Sequence, residues 1–291
     1  MKIGFIGLGI MGSRMAANLL KNNYELLIYN RTQAKADILI SKGAKLLDTP
    51  AAVASASDVL ITMLSTPEAV IETAKGENGF LHSMKNNAIW IDSSTVNPSF
   101  SLQMEQKAKA YKIKFLDAPV AGSKDPAEKG ELTFLVGGDK ENLDQVRELF
   151  EIMGKKIIHL GPPGSGTSMK MIINMMLGQS MAAFSEAMTL GRKLGFKDEE
   201  LMDVLLDGPA VAPFLSAKKE KFEHDDYGTE FPLKWMYKDL YLAAMTAYEN
   251  NLAMPFLNAG KELYAQAKSN GYAEKDFSAL FQYLKNIDEK E

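Results

Sequence analysis

The chain contains no cysteine among its 291 residues, which excludes disulfide bonds, thiolate metal sites and a cysteine nucleophile. Its three histidines, His82, His159 and His224, have no partner at i, i+4 spacing and no HExxH context, so we expect no metal site. The absence of cysteine also fits a reducing compartment. A disulfide framework and a zinc-type centre are therefore both unexpected.

The sequence also lacks a strong excess of one charge and a long apolar run. A net charge of −4 gives no electrostatic footprint for nucleic acid or an anionic membrane surface. The most apolar stretch, which begins at Met169, is interrupted by Lys170, Asn174, Gln179 and Glu186 well before the ~20 apolar residues of a membrane span. The first apolar run of the chain is too short and too Gly-rich for a signal peptide. We therefore expect a cytoplasmic protein with no nucleic-acid or membrane partner.

What is present begins with a glycine motif. An apolar strand over residues 2–6 runs directly into Gly-Leu-Gly-Ile-Met-Gly, and a helical pattern follows at once. Strand, glycine turn and helix in this order are typical of a dinucleotide site, whose helix amino end favours the pyrophosphate. A chance glycine-rich turn is the weaker alternative. We expect the cofactor to contact Gly7, Gly9, Ile10, Met11 and Gly12.

The end of the second strand, residues 26–29, indicates which cofactor binds. A site for NAD usually has an acidic residue there to hold the ribose diol, but this chain has Asn30-Arg31-Thr32. Arg31 can pair with a 2′-phosphate, Asn30 and Thr32 can donate to it, and Lys35 lies one turn on. The alternative is a surface arginine at the start of a helix. The pattern favours NADP(H).

Strands and helices alternate through the first half of the chain. Strands are predicted at residues 59–64, 89–92, 115–120, 132–136 and 156–160, with helices at 33–42, 67–74, 100–111 and 141–153. This alternation predicts a mostly parallel, doubly wound sheet with its ligand beyond the carboxyl ends of the strands. Residues 64–66, 93–95 and 118–123 should line that crevice. Met63, Leu64 and Ser65 are accordingly predicted to contact the cofactor.

Strand signals end at Pro162-Pro163-Gly164, and only helical patterns follow. Helices are predicted at residues 165–194, 201–206, 233–248, 255–269 and 277–287. We therefore expect an α/β protein with a Rossmann-type cofactor domain, residues 1–163, and an all-α substrate and oligomerisation domain, residues 164–291. The first of these helices is predicted to be a long interdomain helix of roughly 42 Å.

This long helix is apolar almost all the way round, which predicts burial among other helices. The hydroxyls of Ser165, Thr167 and Ser168 could cap its first amides.

One face of the long helix breaks the apolar pattern. Lys170, Asn174 and Gly178 lie at i, i+4 and i+8, so they share one stripe. The glycine costs a helix ~1 kcal/mol against alanine, which suggests a close approach to the backbone there and depth for a longer carbon chain in a pocket. The alternative is a lysine that snorkels from a helix end beside an asparagine that satisfies a neighbouring carbonyl.

The chain resembles the β-hydroxyacid dehydrogenases over essentially its whole length. The resemblance rests on the glycine motif at residues 7–12, Asp-Ala-Pro-Val-Ala-Gly-Ser at 117–123, Gly164 to Lys170 with Asn174, and Lys-Asp-Leu at 238–240. Residues 123–132 and 30–32 look like the glyoxylate/succinic semialdehyde reductase branch. One departure is Ala121, where the family usually has a serine whose hydroxyl helps to hold the substrate carboxylate.

The resemblance implies roles for several residues. Lys170 is the catalytic acid/base and Asn174 positions it or the substrate, while Thr95 and Lys238 touch the cofactor. The substrate is held by Ala121, Gly122, Ser123, Lys170, Asn174, Phe231 and Asp239.

These roles agree with the stripe on the helix, because reduction of an aldehyde needs a proton donor opposite the hydride donor. Near a helix amino end, where the dipole disfavours a cation, Lys170 would be a readier acid.

The sequence thus predicts an NADPH-dependent reductase of small aldehyde acids, working as a homodimer or homotetramer because its helical part is so apolar. Two alternatives stay open. One is an NAD-dependent 3-hydroxyisobutyrate dehydrogenase or a tartronate semialdehyde reductase. The other is a non-catalytic interaction module, since some members of the family keep the fold without the lysine.

Overall fold

The computed structural model describes residues 1–288 and divides the chain into two compact units. The first unit is Met1–Lys170, and the second begins at Met171. The division falls inside the helix Ser165–Lys193, a few residues after the boundary at 163/164 that the sequence suggests. Residues 289–291, which the predicted second domain includes, lie outside the described residues.

The first unit is built on one nine-stranded sheet. Its main path runs β3-β2-β1-β4-β5-β6-β8-β7, and β9 pairs with β8. All pairs from β3 to β6 are parallel, whereas β8 is antiparallel to β6 and β7. The strands are β1 Lys2–Ile6, β2 Glu25–Tyr29, β3 Lys45–Leu46, β4 Val59–Thr62, β5 Ile89–Asp92, β6 Lys114–Asp117, β7 Val120–Ala121, β8 Leu132–Gly137 and β9 Gly154–Gly161.

Two apolar cores lie against this sheet, because its central strands are apolar on both faces. One contains Phe5 and Phe134, and the other surrounds Trp90, which meets Phe80 and Phe115 edge to face. The helices of this unit are α1 Gly12–Lys21, α2 Asp37–Ile40, α3 Pro50–Ala56, α4 Pro67–Lys75, α5 Pro98–Ala110, α6 Lys124–Lys129, α7 Lys140–Gln145 and α8 Arg147–Met153. The predicted mostly parallel Rossmann-type sheet is confirmed.

Several predicted elements differ in detail. The strand expected over residues 115–120 is two strands, since β6 ends at Asp117 and β7 begins at Val120. Pro119 lies at the break and lacks an N–H for a ladder bond. The helix expected over 33–42 is a 3₁₀ turn, Gln33–Ala36, followed by α2. The helix expected over 141–153 is α7 and α8, separated at Val146 with φ −122° and ψ 13°.

Beyond Gly161, all regular elements of the described chain are helices, so the predicted all-α second part is confirmed. Its α-helices are α9 Ser165–Lys193, α10 Asp198–Leu206, α11 Lys219–Glu223, α12 Leu233–Glu249, α13 Pro255–Ala267 and α14 Leu280–Asp288. Among the described helices, none has both the length and the apolar character needed to span a bilayer.

The long helix α9 is less buried than its composition suggests. Met181 and Met188 are buried in the helical core, but Ile172 is 52% exposed, Met176 57% and Leu190 61%. The prediction of burial on all sides is therefore wrong for the single chain. An apolar composition cannot tell which face packs within one subunit and which stays uncovered.

Candidate functional site

The three motif glycines of the first loop have different local surroundings. Gly7 has φ +100°, and a Cβ on it would lie 2.3 Å from the carbonyl oxygen of Met63. A Cβ on Gly12 would lie 2.0 Å from the carbonyl oxygen of Gly7, so the fold itself requires both glycines. Gly9 is exposed, and a Cβ there would meet no heavy atom within 4 Å. That open space beside bare backbone fits a phosphate-bearing cofactor, which needs close approach to backbone amides.

Asn30 connects this loop to the end of β2. Its Oδ1 accepts a hydrogen bond of 2.8 Å from the N–H of Leu8, and its Nδ2 donates to the carbonyl oxygen of Thr32 over 2.8 Å. The side chain expected to donate to a 2′-phosphate is thus engaged in fixing the two loops. Arg31, Thr32 and Lys35 are exposed around the 3₁₀ turn.

The loop after β4 begins earlier than predicted, because the strand ends at Thr62 rather than at residue 64. Met63 and Leu64 are half-buried and Ser65 is exposed. The N–H of Leu64 donates to Ser94 Oγ over 2.9 Å, and this bond ties the loop to the residues after β5. Thr95, the next predicted cofactor contact, is half-buried directly after Ser94.

Asp92, the last residue of β5, connects these two loops through hydrogen bonds. Its Oδ1 accepts from Thr62 Oγ1 over 2.8 Å and from the N–H of Ser94 over 3.1 Å. The indole N–H of Trp90 donates to Thr62 Oγ1 over 2.8 Å and extends the network. Burial raises the pKa of Asp92 to about 6, although its bonds from Ser94 and Thr62 oppose that rise.

The turn predicted to hold the substrate carboxylate follows β7. Ala121 pairs with Thr133 of β8 and is half-buried, whereas Gly122 and Ser123 are exposed. Gly122 has φ +128°, a conformation that favours glycine, so the turn depends on it. Ser123 precedes α6. The backbone amides of this turn stay our predicted anion contacts.

Lys170 lies near the start of α9, and that start is held by Asp117. The N–H of Gly164 donates to Asp117 Oδ1 over 2.7 Å, and the N–H of Thr167 donates to Asp117 Oδ2 over 2.8 Å. The hydroxyls of Thr167 and Ser168 donate to the carbonyl oxygen of Gly164 instead of capping amides. The expected hydroxyl cap is therefore replaced by a carboxylate from β6.

The presence of Asp117 changes the electrostatics expected for Lys170. A helix amino end carries a partial positive charge, and an anion at that end compensates it. Burial raises the pKa of Asp117 to about 6, against the effect of the bonds from Thr167 and Gly164. Above that pH a negative charge lies one turn before Lys170. The expectation that the bare helix dipole makes Lys170 a readier acid is thus weakened.

Asn174, the next residue of the stripe, is buried in the second unit. Its Nδ2 donates to Asp239 Oδ2 over 2.5 Å, and Asp239 Oδ1 lies 2.7 Å from Lys238 Nζ. The structure thus brings together Asn174, Asp239 and Lys238, to which the sequence analysis assigned a positioning, a substrate and a cofactor role. With its nitrogen bound to Asp239, the amide of Asn174 has a fixed orientation.

Phe231, the remaining predicted substrate contact, is held by a buried ion pair. The N–H groups of Glu230 and Phe231 donate to Asp276 Oδ2 over 3.2 and 3.1 Å. The Nζ of Lys218 lies 3.2 Å from Asp276 Oδ1 and 2.7 Å from Glu230 Oε2. This cluster fixes the backbone that leads into α12.

Gly178 does not open a pocket. A Cβ on it would lie 2.9 Å from Met236 Sδ and 3.0 Å from Leu240 Cδ2, both on α12. Its carbonyl oxygen accepts from the hydroxyl of Tyr264 over 3.3 Å. The close approach inferred from the sequence is real, but it is helix packing. The inferred depth for a longer carbon chain is therefore wrong.

Sequence reasoning gave no role to Asp92, Asp117, Asp276 or Lys218. Asp92 and Asp117 each end an apolar strand, which is the signal that could have drawn attention to them. The partners of Asp276 and Lys218 are far away along the chain, and no local pattern indicates them. Across residues 1–288, no group of three or more His, Asp or Glu side chains could hold a metal ion.

Two family models match the two parts of the chain. Residues 2–161 match the family model of the NAD binding domain of 6-phosphogluconate dehydrogenase. Residues 164–284 match the model described as NAD-binding of NADP-dependent 3-hydroxyisobutyrate dehydrogenase. Each half of the chain thus has its own match to a nicotinamide-binding family.

Two curated relatives come from Arabidopsis thaliana. Glyoxylate/succinic semialdehyde reductase 2, chloroplastic, is 39% identical over 99% of this chain and 81% of its own length. Glyoxylate/succinic semialdehyde reductase 1 is 37% identical over 98% of this chain and 99% of its own length. Among solved structures, Mycobacterium tuberculosis 3-hydroxyisobutyrate dehydrogenase with L-serine has a TM-score of 0.88 at 29% identity, covering 98% and 99% of the two chains. The chain therefore belongs to the β-hydroxyacid dehydrogenase family and is an NAD(P)-dependent oxidoreductase that acts on a small-molecule substrate.

Proposed function

We propose that this protein is an NADPH-dependent reductase of small aldehyde acids, converting succinic semialdehyde to 4-hydroxybutyrate and glyoxylate to glycolate. The observation that carries this proposal most is its similarity, over almost the whole chain, to two proteins named as reductases of those two aldehydes. Residues 1–163 would form the cofactor-binding domain, and the helical residues from 164 on would form the substrate and oligomerisation domain. A bound nicotinamide cofactor supplies the hydride.

The cofactor choice rests on the end of β2. Arg31 is exposed there with Thr32 and Lys35, and no carboxylate occupies positions 30–32. A guanidinium can form a paired, charge-assisted hydrogen bond with a 2′-phosphate, while no acid is present to hold a ribose diol or to repel the phosphate. Asn30 would act indirectly here, because its side chain binds Leu8 and Thr32.

The proton would come from Lys170. Negative charge develops on the carbonyl oxygen during reduction, and an ammonium within reach stabilises that charge and then donates a proton. Asn174 lies one turn further along the same helix face, where its amide, fixed by Asp239, can orient the lysine or the substrate hydroxyl.

The carboxylate of the substrate would bind to the amides of Gly122 and Ser123. Ala121 brings no hydroxyl to this turn, so we expect weaker anchoring than in relatives that have serine. Phe231 would supply an apolar contact, since the bonds of Asp276 fix its backbone.

Replacement of Lys170 tests the proposed role of this residue as the proton donor. We expect Lys170→Ala to lower kcat for reduction of succinic semialdehyde and glyoxylate by about 10²- to 10⁴-fold, the range for loss of a general acid. NADPH should still bind, as measured by quenching of protein fluorescence.

Lys193→Ala is the matched control, because this exposed lysine lies at the other end of the same helix. It should leave kcat unchanged. A fall of less than tenfold for Lys170→Ala in a folded protein would contradict the proton-donor role and favour a lysine that only snorkels.

A specific observation also supports a second function, oxidation of a 3-hydroxy acid. The second half of the chain matches a model described by a 3-hydroxyisobutyrate dehydrogenase. Assays of 3-hydroxyisobutyrate with NADP⁺ and NAD⁺, beside the two aldehydes with NADPH and NADH, separate the two functions. The substrate with the highest kcat/KM decides between them.

A further inference from the structure

Asp117 makes an unusually complete set of bonds to the first turn of α9. It accepts from the N–H of Gly164, the N–H of Thr167 and the hydroxyl of Thr167, at 2.7, 2.8 and 3.2 Å. Asp117 is fully buried at the end of β6, in the middle of the sheet. The carboxylate therefore connects the start of the helix directly to a rigid strand.

Two glycines, Gly137 and Gly166, leave room for this carboxylate. A Cβ on Gly137 would lie 2.4 Å from Asp117 Oδ1, and a Cβ on Gly166 would lie 3.0 Å from Asp117 Oδ2 and 2.2 Å from the carbonyl oxygen of Leu135. Both glycines are thus needed for the helix start to reach the carboxylate. The first turn of α9 and the Asp117 carboxylate are therefore closely packed against each other.

Thr167 and Lys170 are three residues apart, so they lie on nearly the same face of α9 with a rise of about 4.5 Å. Any tilt or rotation of the first turn would displace the Lys170 amine by a comparable or larger distance. A misplacement of about 1 Å can cost about 10²-fold in rate.

A buried carboxylate is a costly way to cap a helix. Its burial disfavours the charge, and burial is the largest cause of the rise of its pKa to about 6. Ser165, at the start of the same helix, could cap amides with a neutral hydroxyl at less cost. Helix capping alone does not require a buried carboxylate at this position. Its presence is explained if Asp117 also orients the start of the helix.

We propose that Asp117 is a positioning residue for the reaction, which acts by fixing the first turn of α9 so that Lys170 is held where it can donate its proton. This inference rests on the proposed role of Lys170. Asp117 itself touches neither substrate nor cofactor in this account. Its effect on catalysis must therefore pass through Lys170.

A double-mutant cycle tests this dependence. Asp117→Asn should lower kcat for aldehyde reduction by about 10- to 10²-fold, with the NADPH dissociation constant changed less than about threefold. In a Lys170→Ala background, the same Asp117→Asn change should lower kcat by less than about twofold, because the group it positions is gone.

Equal losses in both backgrounds would overturn the proposal, since Asp117 would then act through the fold or another group. A full kcat in Asp117→Asn would overturn it as well. If Lys170→Ala alone keeps full activity, the proposed function of Lys170 fails, whatever Asp117 does.

Two further variants separate positioning from stability. Leu149→Ala removes a fully buried side chain of α8, in the core that contains Phe5 and Phe134, and should lower the free energy of unfolding by about 2–5 kcal/mol without lowering kcat. If Asp117→Asn does not fold, Thr167→Val replaces it, because valine keeps the backbone donor to Asp117 and loses only the hydroxyl bonds to Asp117 and to the carbonyl oxygen of Gly164. It should lower kcat in the same direction by a smaller factor, again only when Lys170 is present.

Discussion

At the scale of single residues, the neighbours Asn30 and Arg31 at the end of β2 have different roles. The side chain of Asn30 binds the N–H of Leu8 and the carbonyl oxygen of Thr32, whereas Arg31 extends into solvent. The first residue fixes the shape of the loop, and the second supplies charge. A sequence pattern shows both as polar residues after a strand, so it could not separate their roles.

We predict that kcat/KM with NADPH exceeds that with NADH by at least about tenfold, because a charge-assisted hydrogen bond to a phosphate is worth roughly 1.5–3 kcal/mol. Arg31→Asp should reverse the preference, since an acid there can hold a ribose diol and repels a phosphate.

Lys42→Ala removes an exposed cation further along the chain and serves as the control, with an unchanged cofactor preference. Equal values of kcat/KM with NADPH and NADH in the unmodified protein would contradict the predicted contact of Arg31 with a 2′-phosphate. Initial rates with both cofactors at saturating aldehyde give the measurement.

At the scale of elements, Asp92 joins β4 and β5 through Thr62 and Ser94, and it does so at a pH-dependent cost. Its pKa is raised to about 6 by burial, while an unfolded aspartate has a pKa near 3.9. Between about pH 4 and pH 6 the native protein therefore binds more protons than the unfolded chain. Its stability falls as pH rises through that window.

We expect Asp92→Asn to remove this dependence. Relative to the unmodified protein, the variant should gain up to about 3 kcal/mol in its free energy of unfolding between pH 4 and pH 6.5, at about 1.4 kcal/mol per pKa unit. Urea unfolding at several pH values measures the difference.

Asp144→Asn is a control of opposite sign, because a hydrogen bond from Lys140 lowers the pKa of that exposed carboxyl. A pH-independent difference between Asp92→Asn and the unmodified protein would show that folding does not raise the pKa of Asp92.

The contact between α9 and α12 gives another prediction at this scale. Alanine at Gly178 would gain up to about 1 kcal/mol of helix propensity but would press on Met236 and Leu240, at a cost of about 1–3 kcal/mol. We expect Gly178→Ala to be less stable than the unmodified protein in thermal unfolding. Adding Leu240→Val should restore part of the loss, and strictly additive effects of the two changes would argue against this contact.

Much of the fold was predictable because its signals are local. The glycine loop, the order of strands and helices, and the change to helices after Gly164 each depend on residues within a few positions of one another. The two-residue strands β3 and β7 are too short for a period to be visible.

The candidate site was predictable from the sequence only where its residues lie on the same helix or loop. Lys170 and Asn174 share a helix face, which spacing reveals. The bonds of Asp117 to residues 164 and 167, and of Asn174 to Asp239, join positions about 50 and 65 residues apart. Gly178 was recognised as a close approach, but nothing local could tell whether a ligand or another helix comes close.

At the scale of the whole molecule, the uncovered apolar side chains of the helical unit predict self-association. Ile172, Met176 and Leu190 of α9 are more than half exposed, as are Tyr248 of α12 and Phe256 of α13. A monomer rarely leaves so many large apolar groups in water. We expect a homodimer or homotetramer built through helical surfaces.

Light scattering at low protein concentration measures this directly. A mass of only 32.1 kDa would contradict the prediction. Leu190→Lys should lower the mass or weaken the association, whereas Leu102→Lys, at an exposed leucine of α5 in the first unit, should not.

The open space at Gly9 allows a substitution that should obstruct cofactor binding without disturbing the fold. Because a methyl group there would touch nothing in the protein, Gly9→Ala offers a polypeptide that folds and assembles normally yet is obstructed where phosphates approach. Gly7 and Gly12 offer no such opportunity, since a methyl group on either would collide with backbone. In the oligomer predicted above, mixing Gly9→Ala chains with unmodified chains would give hybrids with some inactive subunits, and their activity would report whether each subunit works independently.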